Sequence, residues 1–166
     1  LHPRGNFEGY LAAGSQQKWL EVHGDTHFSH FYTDYGAGLQ KRFFGHFLKG
    51  EDTGWEKQPP VSLNIRRPGE AFTLRAENEW PLARTQWTRF YLHADDRSLR
   101  EERPKQMATL PYDTTGDGLT FRTPPLMQET EITGPVAAEL IVSSDTSDAD
   151  LFLALRGLGR EVARQR

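Results

Sequence analysis

The spacing of apolar positions changes near residue 58, and the change separates two kinds of predicted element. Between Asp34 and Gly50 the apolar residues Tyr35, Leu39, Phe43, Phe47 and Leu48 recur every three to four positions, the period of one helix face. Asp34 is placed to cap the start of that helix and Lys49-Gly50 to end it. Upstream, Asn6 to Ala13 reads as another helix, and Lys18-Trp-Leu-Glu-Val-His-Gly24 as a short strand that stops at a glycine. The polar run His23-Gly-Asp-Thr-His-Phe-Ser-His30 follows as a loop. A helix, strand, loop, helix succession is the order that α/β folds use.

The segment Glu51 to Pro60 collects a glycine and two prolines, and it marks a boundary between residues 1–58 and 59–166. Beyond it the period drops to two at Val61-Ser-Leu-Asn-Ile65. Further short runs follow at Phe72 to Leu74, Thr88 to Leu92, Leu119 to Phe121, Val136 to Val142 and Leu151 to Leu155, divided by turn residues such as Thr115-Gly-Asp-Gly118. Short strands at this spacing predict a β-sandwich or jelly roll. Five or six strands are too few for a typical jelly roll of about eight. The chain also starts at Leu1 and stops at Arg166 in mid-pattern, so it is expected to be an incomplete piece of two domains.

Composition changes this picture little. The 166 residues are 36% apolar and 26% charged with a formal net charge of −3, which describes a soluble, mildly acidic surface with no nucleic-acid or membrane footprint. Arg4, Arg66, Arg67 and the other basic residues are scattered among acids. Zero cysteines exclude disulfides and thiolate metal sites, which fits a reducing cytoplasm, the compartment expected here, and also fits many periplasmic proteins. Asp145, Asp148 and Asp150 lack the glycine and closing glutamate of a calcium loop, and read as a strand entry with one solvated face.

The candidate chemistry lies in the histidine loop. A strand ending in glycine, followed within a few residues by a histidine and then a helix, is how α/β-hydrolases present a general base. Such a base must sit on a loop to reach over the strand ends, and a histidine near neutral pKa can take the nucleophile's proton and return it to the leaving group. His27 occupies that position. Two other readings stand beside it. His23, His27 and His30, with Asp25, have the look of metal-ligand spacing, although three imidazoles so spaced converge on a continuous helix and Gly24 argues against one. The three histidines can also be hydrogen-bonded loop residues without chemistry. A Gly-x-Ser-x-Gly elbow is absent: Gly5-Asn-Phe-Glu-Gly9 carries Phe7 at its centre. His46 reads as a surface or interface residue, and His2 and His93 have no context.

Three stretches carry a family resemblance. The run KWLEVHGDTHFSHFYTDYGAGLQKRFFGHFLKG from Lys18 to Gly50, then GWEKQPPVSLNIRRPGE, then NEWPLARTQWTRFYL from Asn78 to Leu92, resembles the X-Pro dipeptidyl-peptidase and cocaine-esterase-like hydrolases. The later run from Ile132 to Leu155 resembles the start of their C-terminal jelly roll. The resemblance implies the C-terminal portion of an α/β-hydrolase domain over residues 1–58 and the N-terminal portion of a jelly roll over 59–166. It also implies a Ser, Asp, His triad that hydrolyses esters or X-Pro amides through an acyl-enzyme. The family's histidine falls on His27. His30 is the alternative, because the family often writes the loop as Gly-Pro-Trp-Ser-His. The triad aspartate matches a position just before Leu1, so neither Asp25 nor Asp34 takes that role, and the serine also lies outside the chain. The isolated chain is therefore expected to be inactive, contributing the base for a small ester or peptide substrate. No cofactor and no metal are expected, and a homo-oligomer remains compatible. Trp80-Pro81 and Trp87 are expected to pack where the two domains meet. The competing function is a carbohydrate- or partner-binding module, for which Trp55, Trp80 and Tyr91 would be exposed stacking platforms.

Overall fold

The computed structural model describes residues 3–157 apart from Asp25, Ser29, Pro68 and Glu70. Asp25 and His2 therefore lie outside the described residues. The chain forms two compact units, one of residues 1–83 with 135–166 and the other of residues 84–134.

The first unit is organised by a three-stranded sheet in the order β1-β2-β3, with β1 at Leu20–Val22, β2 at Val61–Arg66 and β3 at Phe72–Glu77. β1 and β2 run parallel, Leu20 opposite Val61 and Val22 opposite Leu63. Parallel neighbours need a long crossover, and helix α2, Asp34–Lys49, supplies it. β2 and β3 run antiparallel, from Val61 opposite Glu77 to Arg66 opposite Phe72. Leu20, Val61 and Leu63 are buried together, with Phe7, Tyr10, Val22, Ile65 and Trp80 packed against them. Phe7 and Tyr10 come from helix α1, Pro3–Ala12. The Phe7 ring stacks on Trp80 at 4.6 Å. Lys18 Nζ donates to the carbonyls of Tyr10 and Ala13 at 2.9 Å each, satisfying acceptors that the end of α1 leaves open.

Helix α2 is held at both ends. Thr33, in extended geometry, accepts from the Gly36 amide through Oγ1 at 3.2 Å. Thr33 is thus the cap, and Asp34, expected to fill that role, sits one residue inside, where its charge favours the helix N-terminus. At the other end Gly50 has φ 67°, and its amide donates to Gly45 and His46, a left-handed stop that suits glycine. Trp55 is buried beneath α2. Its ring meets Phe43 at 5.0 Å and Trp19 at 5.3 Å, and the Arg42 guanidinium lies 5.7 Å from it.

The second unit contains a hairpin of β4, Tyr91–His93, and β5, Ser98–Arg100. Arg97 takes φ 54° at its turn, and Asp96 accepts from the Ser98 amide. Arg122 extends this hairpin by exchanging backbone bonds with Leu99 and Arg97. His93 is buried, with Nε2 2.9 Å from the Glu102 carbonyl.

Of the six strands expected beyond residue 58, two form at the predicted places and a third is reduced to Tyr91–His93. Leu119 to Phe121 yields only the bridge at the adjoining Arg122. Val136 to Val142 and Leu151 to Leu155 form no strand and have no ladder partners among the described residues. The physical reason is that an alternating pattern specifies a face, whereas a strand also requires a neighbour to take its amides and carbonyls. Trp87, expected to be packed, is 72% exposed. No helix among the described residues is long and apolar enough to cross a membrane.

The sheet gives a contrast between neighbours. Leu63 is 3% exposed and Leu74, on the adjacent strand, 55%. In chemical denaturation Leu63→Ala is expected to cost about 2–5 kcal/mol, and Leu74→Ala to stay within about 0.5 kcal/mol of the parent.

Candidate functional site

The site grows out of the end of β1. Strand alternation puts Glu21 and the following His23 on the same side of the chain. Gly24 comes next, and a Cβ there would stand 2.5 Å from the Phe72 ring of β3, so the glycine leaves room for that ring as the chain departs from the sheet. The loop returns through a short 3₁₀ turn, His30–Tyr32, which the sequence pattern did not reveal. Thr33 fixes this turn by donating from Oγ1 to the His30 carbonyl at 2.7 Å. Gly36 allows α2 to lie directly against it, since a Cβ at that position would be 2.2 Å from the His30 oxygen and 2.8 Å from the Phe31 oxygen.

These contacts sort the three loop histidines into two settings. His23 and His30 stack face to face, with ring centroids 4.4 Å apart and planes 11° from parallel. Glu21 joins them: its Oε1 is 3.4 Å from His30 Nε2, and its Oε2 accepts from the Tyr35 hydroxyl at 3.1 Å. Donor atoms of Glu21, His23 and His30 all lie within 4.8 Å of one another. His27 is not part of this group. It sits exposed on the loop, with its ring edge-to-face with Phe28 at 4.3 Å. The three-histidine grouping read from spacing is therefore replaced by two histidines and a glutamate. Glu21 was missed because it lies in the strand, although the Glu21-x-His23 alternation carried the signal.

The electrostatics follow from this packing. Partial loss of hydration, reinforced by the neighbouring His30, holds His23 below its ordinary pKa of 6.5, with Glu21 opposing the shift. Burial, the Glu21 charge and the hydrogen bond to it push the Tyr35 hydroxyl upward. A separate depression of about 570 Å³ is walled by Trp19, Phe43, Phe47 and Trp55, and Glu21 reaches its margin while His27 does not.

Residues 53–164 match the family model described as the X-Pro dipeptidyl-peptidase C-terminal non-catalytic domain. The chain belongs to this family. The histidine loop lies just ahead of the matched region. Among curated relatives, a protein of Mycobacterium bovis and one of Mycobacterium tuberculosis, each named "Putative serine esterase", are 29% identical over 69% of this chain. Two crystal structures of a CocE/NonD family hydrolase from Staphylococcus aureus superpose with TM-scores of 0.58 and 0.59 at 33% identity, over 61% and 62% of this chain. The chain spans 22% of the length of those curated relatives and 18% of the solved hydrolase. Within the family it thus corresponds to the C-terminal, β-rich part, and its relatives carry hydrolase and esterase names.

Two outcomes follow from the geometry. In an exposed helix Gly→Ala is favourable by about 1 kcal/mol. Gly36→Ala should instead destabilise by about 1–3 kcal/mol, because the added methyl forces α2 away from the 3₁₀ turn. Thermal denaturation and the His30 ring resonances would report it. For His23 the folded pKa lies below the unfolded value of 6.5, so its neutral form is favoured by folding. Stability should be full above pH 6.5 and decline as pH falls through the folded pKa. The decline in thermal midpoint between pH 7.5 and 5 should be shallower in His23→Gln.

Proposed function

We propose that this chain supplies the general base of a serine hydrolase, and that the base is His27. Residues 1–58 would be the C-terminal portion of an α/β-hydrolase domain, and residues 59–166 the N-terminal portion of a jelly roll. The observation that carries the reading is the succession of β1, Gly24, the exposed His27 and then α2, immediately ahead of the family match. A parallel strand, a glycine exit and a returning helix present an imidazole beyond the carboxyl edge of the sheet, where a nucleophile can be reached.

Packing favours His27 over His30. A general base has to come within about 2.6–3.2 Å of the proton it takes. His30 is stacked under His23 and turns Nε2 toward Glu21, with that nitrogen shielded from solvent. In the proposed reaction His27 accepts the serine hydroxyl proton as the oxygen attacks the carbonyl of a small ester or X-Pro peptide. It then protonates the departing alcohol or amine, and water repeats the cycle on the acyl-enzyme. An aspartate orients the imidazole and compensates its charge. This reading puts both that aspartate and the serine outside these 166 residues, which carry no Gly-x-Ser-x-Gly elbow. The burial of Trp55 against α2 removes one of the three stacking platforms that a carbohydrate- or partner-binding module would use.

In the full-length enzyme, His27→Ala should lower kcat/KM on an activated ester by about 10²–10⁴-fold, with His30→Ala changing it less than about tenfold. The reverse ranking would transfer the role to His30. The 166-residue chain by itself should hydrolyse the ester no faster than buffer. Turnover by that chain that His27→Ala abolishes would refute the division of the triad.

A further inference from the structure

We propose that Glu21, His23 and His30 form a binding site for a divalent zinc ion, separate from His27. Two imidazole nitrogens and one carboxylate oxygen are the donor set of three-ligand zinc sites, which keep a fourth position open for water or another ligand. Calcium and magnesium prefer oxygen donors, whereas imidazoles select zinc and its transition-metal neighbours.

Several independent features converge on this assignment. The donor atoms lie within 4.8 Å of one another. Tetrahedral bonds of about 2.0–2.2 Å would set them roughly 3.4 Å apart, a contraction that three side chains can share by small rotations. His30 Nε2 is shut off from solvent and makes no hydrogen bond, its approach to Glu21 Oε1 being 3.4 Å. A buried polar atom in that state is costly, and a bound cation would satisfy it. Glu21 is held from behind, since its other oxygen accepts from the Tyr35 hydroxyl, as outer partners orient metal-ligating carboxylates. The backbone is also fixed on both sides: Glu21 belongs to β1, paired with β2, and His30 opens a turn bound by Thr33. An ion here would clamp the two ends of the loop that carries His27 and would occupy the nitrogen through which His30 could compete as a base.

The test uses the 166-residue chain with cobalt(II) as a spectroscopic probe, followed by displacement with zinc(II). One equivalent of cobalt per chain is expected, with the visible absorption of low coordination number. Glu21→Gln, His23→Gln and His30→Gln should each weaken binding at least tenfold, Tyr35→Phe by about 10–100-fold, and His27→Gln less than twofold. Should a ligand variant misfold, as circular dichroism would show, ring resonances of the unsubstituted protein decide: zinc should shift His23 and His30 and leave His46 unmoved. No uptake at one equivalent overturns the site, and so does equal weakening in His27→Gln. In the full-length enzyme, loss of esterase activity in His27→Ala with cobalt binding kept would support the metal site and the proposed base together. Retained activity in that variant would remove the proposed base and leave the metal site intact.

Discussion

The parallel pairing of β1 with β2 is the constraint on which the rest of the first unit depends. Three residues of β1 have little cohesion of their own. They are fixed because the Leu20 amide donates to the Pro60 carbonyl at 2.9 Å and Leu20 packs beside Val61 and Leu63. This one register determines which way Glu21 and His23 point, since a shift of one residue would reverse them. The 3₁₀ turn and α2 then have a fixed strand to return to, and the loop between them acquires a definite start and finish.

The histidine loop divides along that framework. Its two ends are tied down, His23 by continuing β1 and His30 by the turn that Thr33 and Gly36 hold against α2. These anchored rings stack and share Glu21, whereas His27 sits between them, exposed. The loop is short and supported at both ends, and the His27 ring lies against Phe28 while the other two rings stack on each other. Similar side chains within eight residues thus acquire different surroundings through what the backbone on either side of them touches.

Helix α2 was readable from its period, and its glycine stop from Gly50, because both depend on local geometry. The cap was misread by one residue, since Thr33 and Asp34 are both suitable cap types and only the hydrogen bond to the Gly36 amide separates them. β2 and β3 were legible because they are neighbours in sequence as well as in the sheet. The runs at Val136 to Val142 and Leu151 to Leu155 have equally clear patterns, but patterning cannot supply a ladder partner, and none appears among the described residues. In the site, the positions of His23, His27 and His30 on one loop could be read directly. Alternation sets Glu21 beside His23, but its contact with His30 could not be read, because the meeting of a strand carboxylate with a residue nine positions later depends on how the loop closes.

The β1 to β2 ladder also crosses the line along which the sequence invites division. β2 lies inside the region matching the non-catalytic domain, and β1, which leads into the histidine loop, lies outside it. The two are nonetheless adjacent strands of one sheet. A cut near residue 58 would expose a row of backbone amides and carbonyls along β1 and strip the cover from Leu20. The β-rich segment is consequently a structural member of the platform beneath the histidines, and its removal would be felt at the loop as a loss of order.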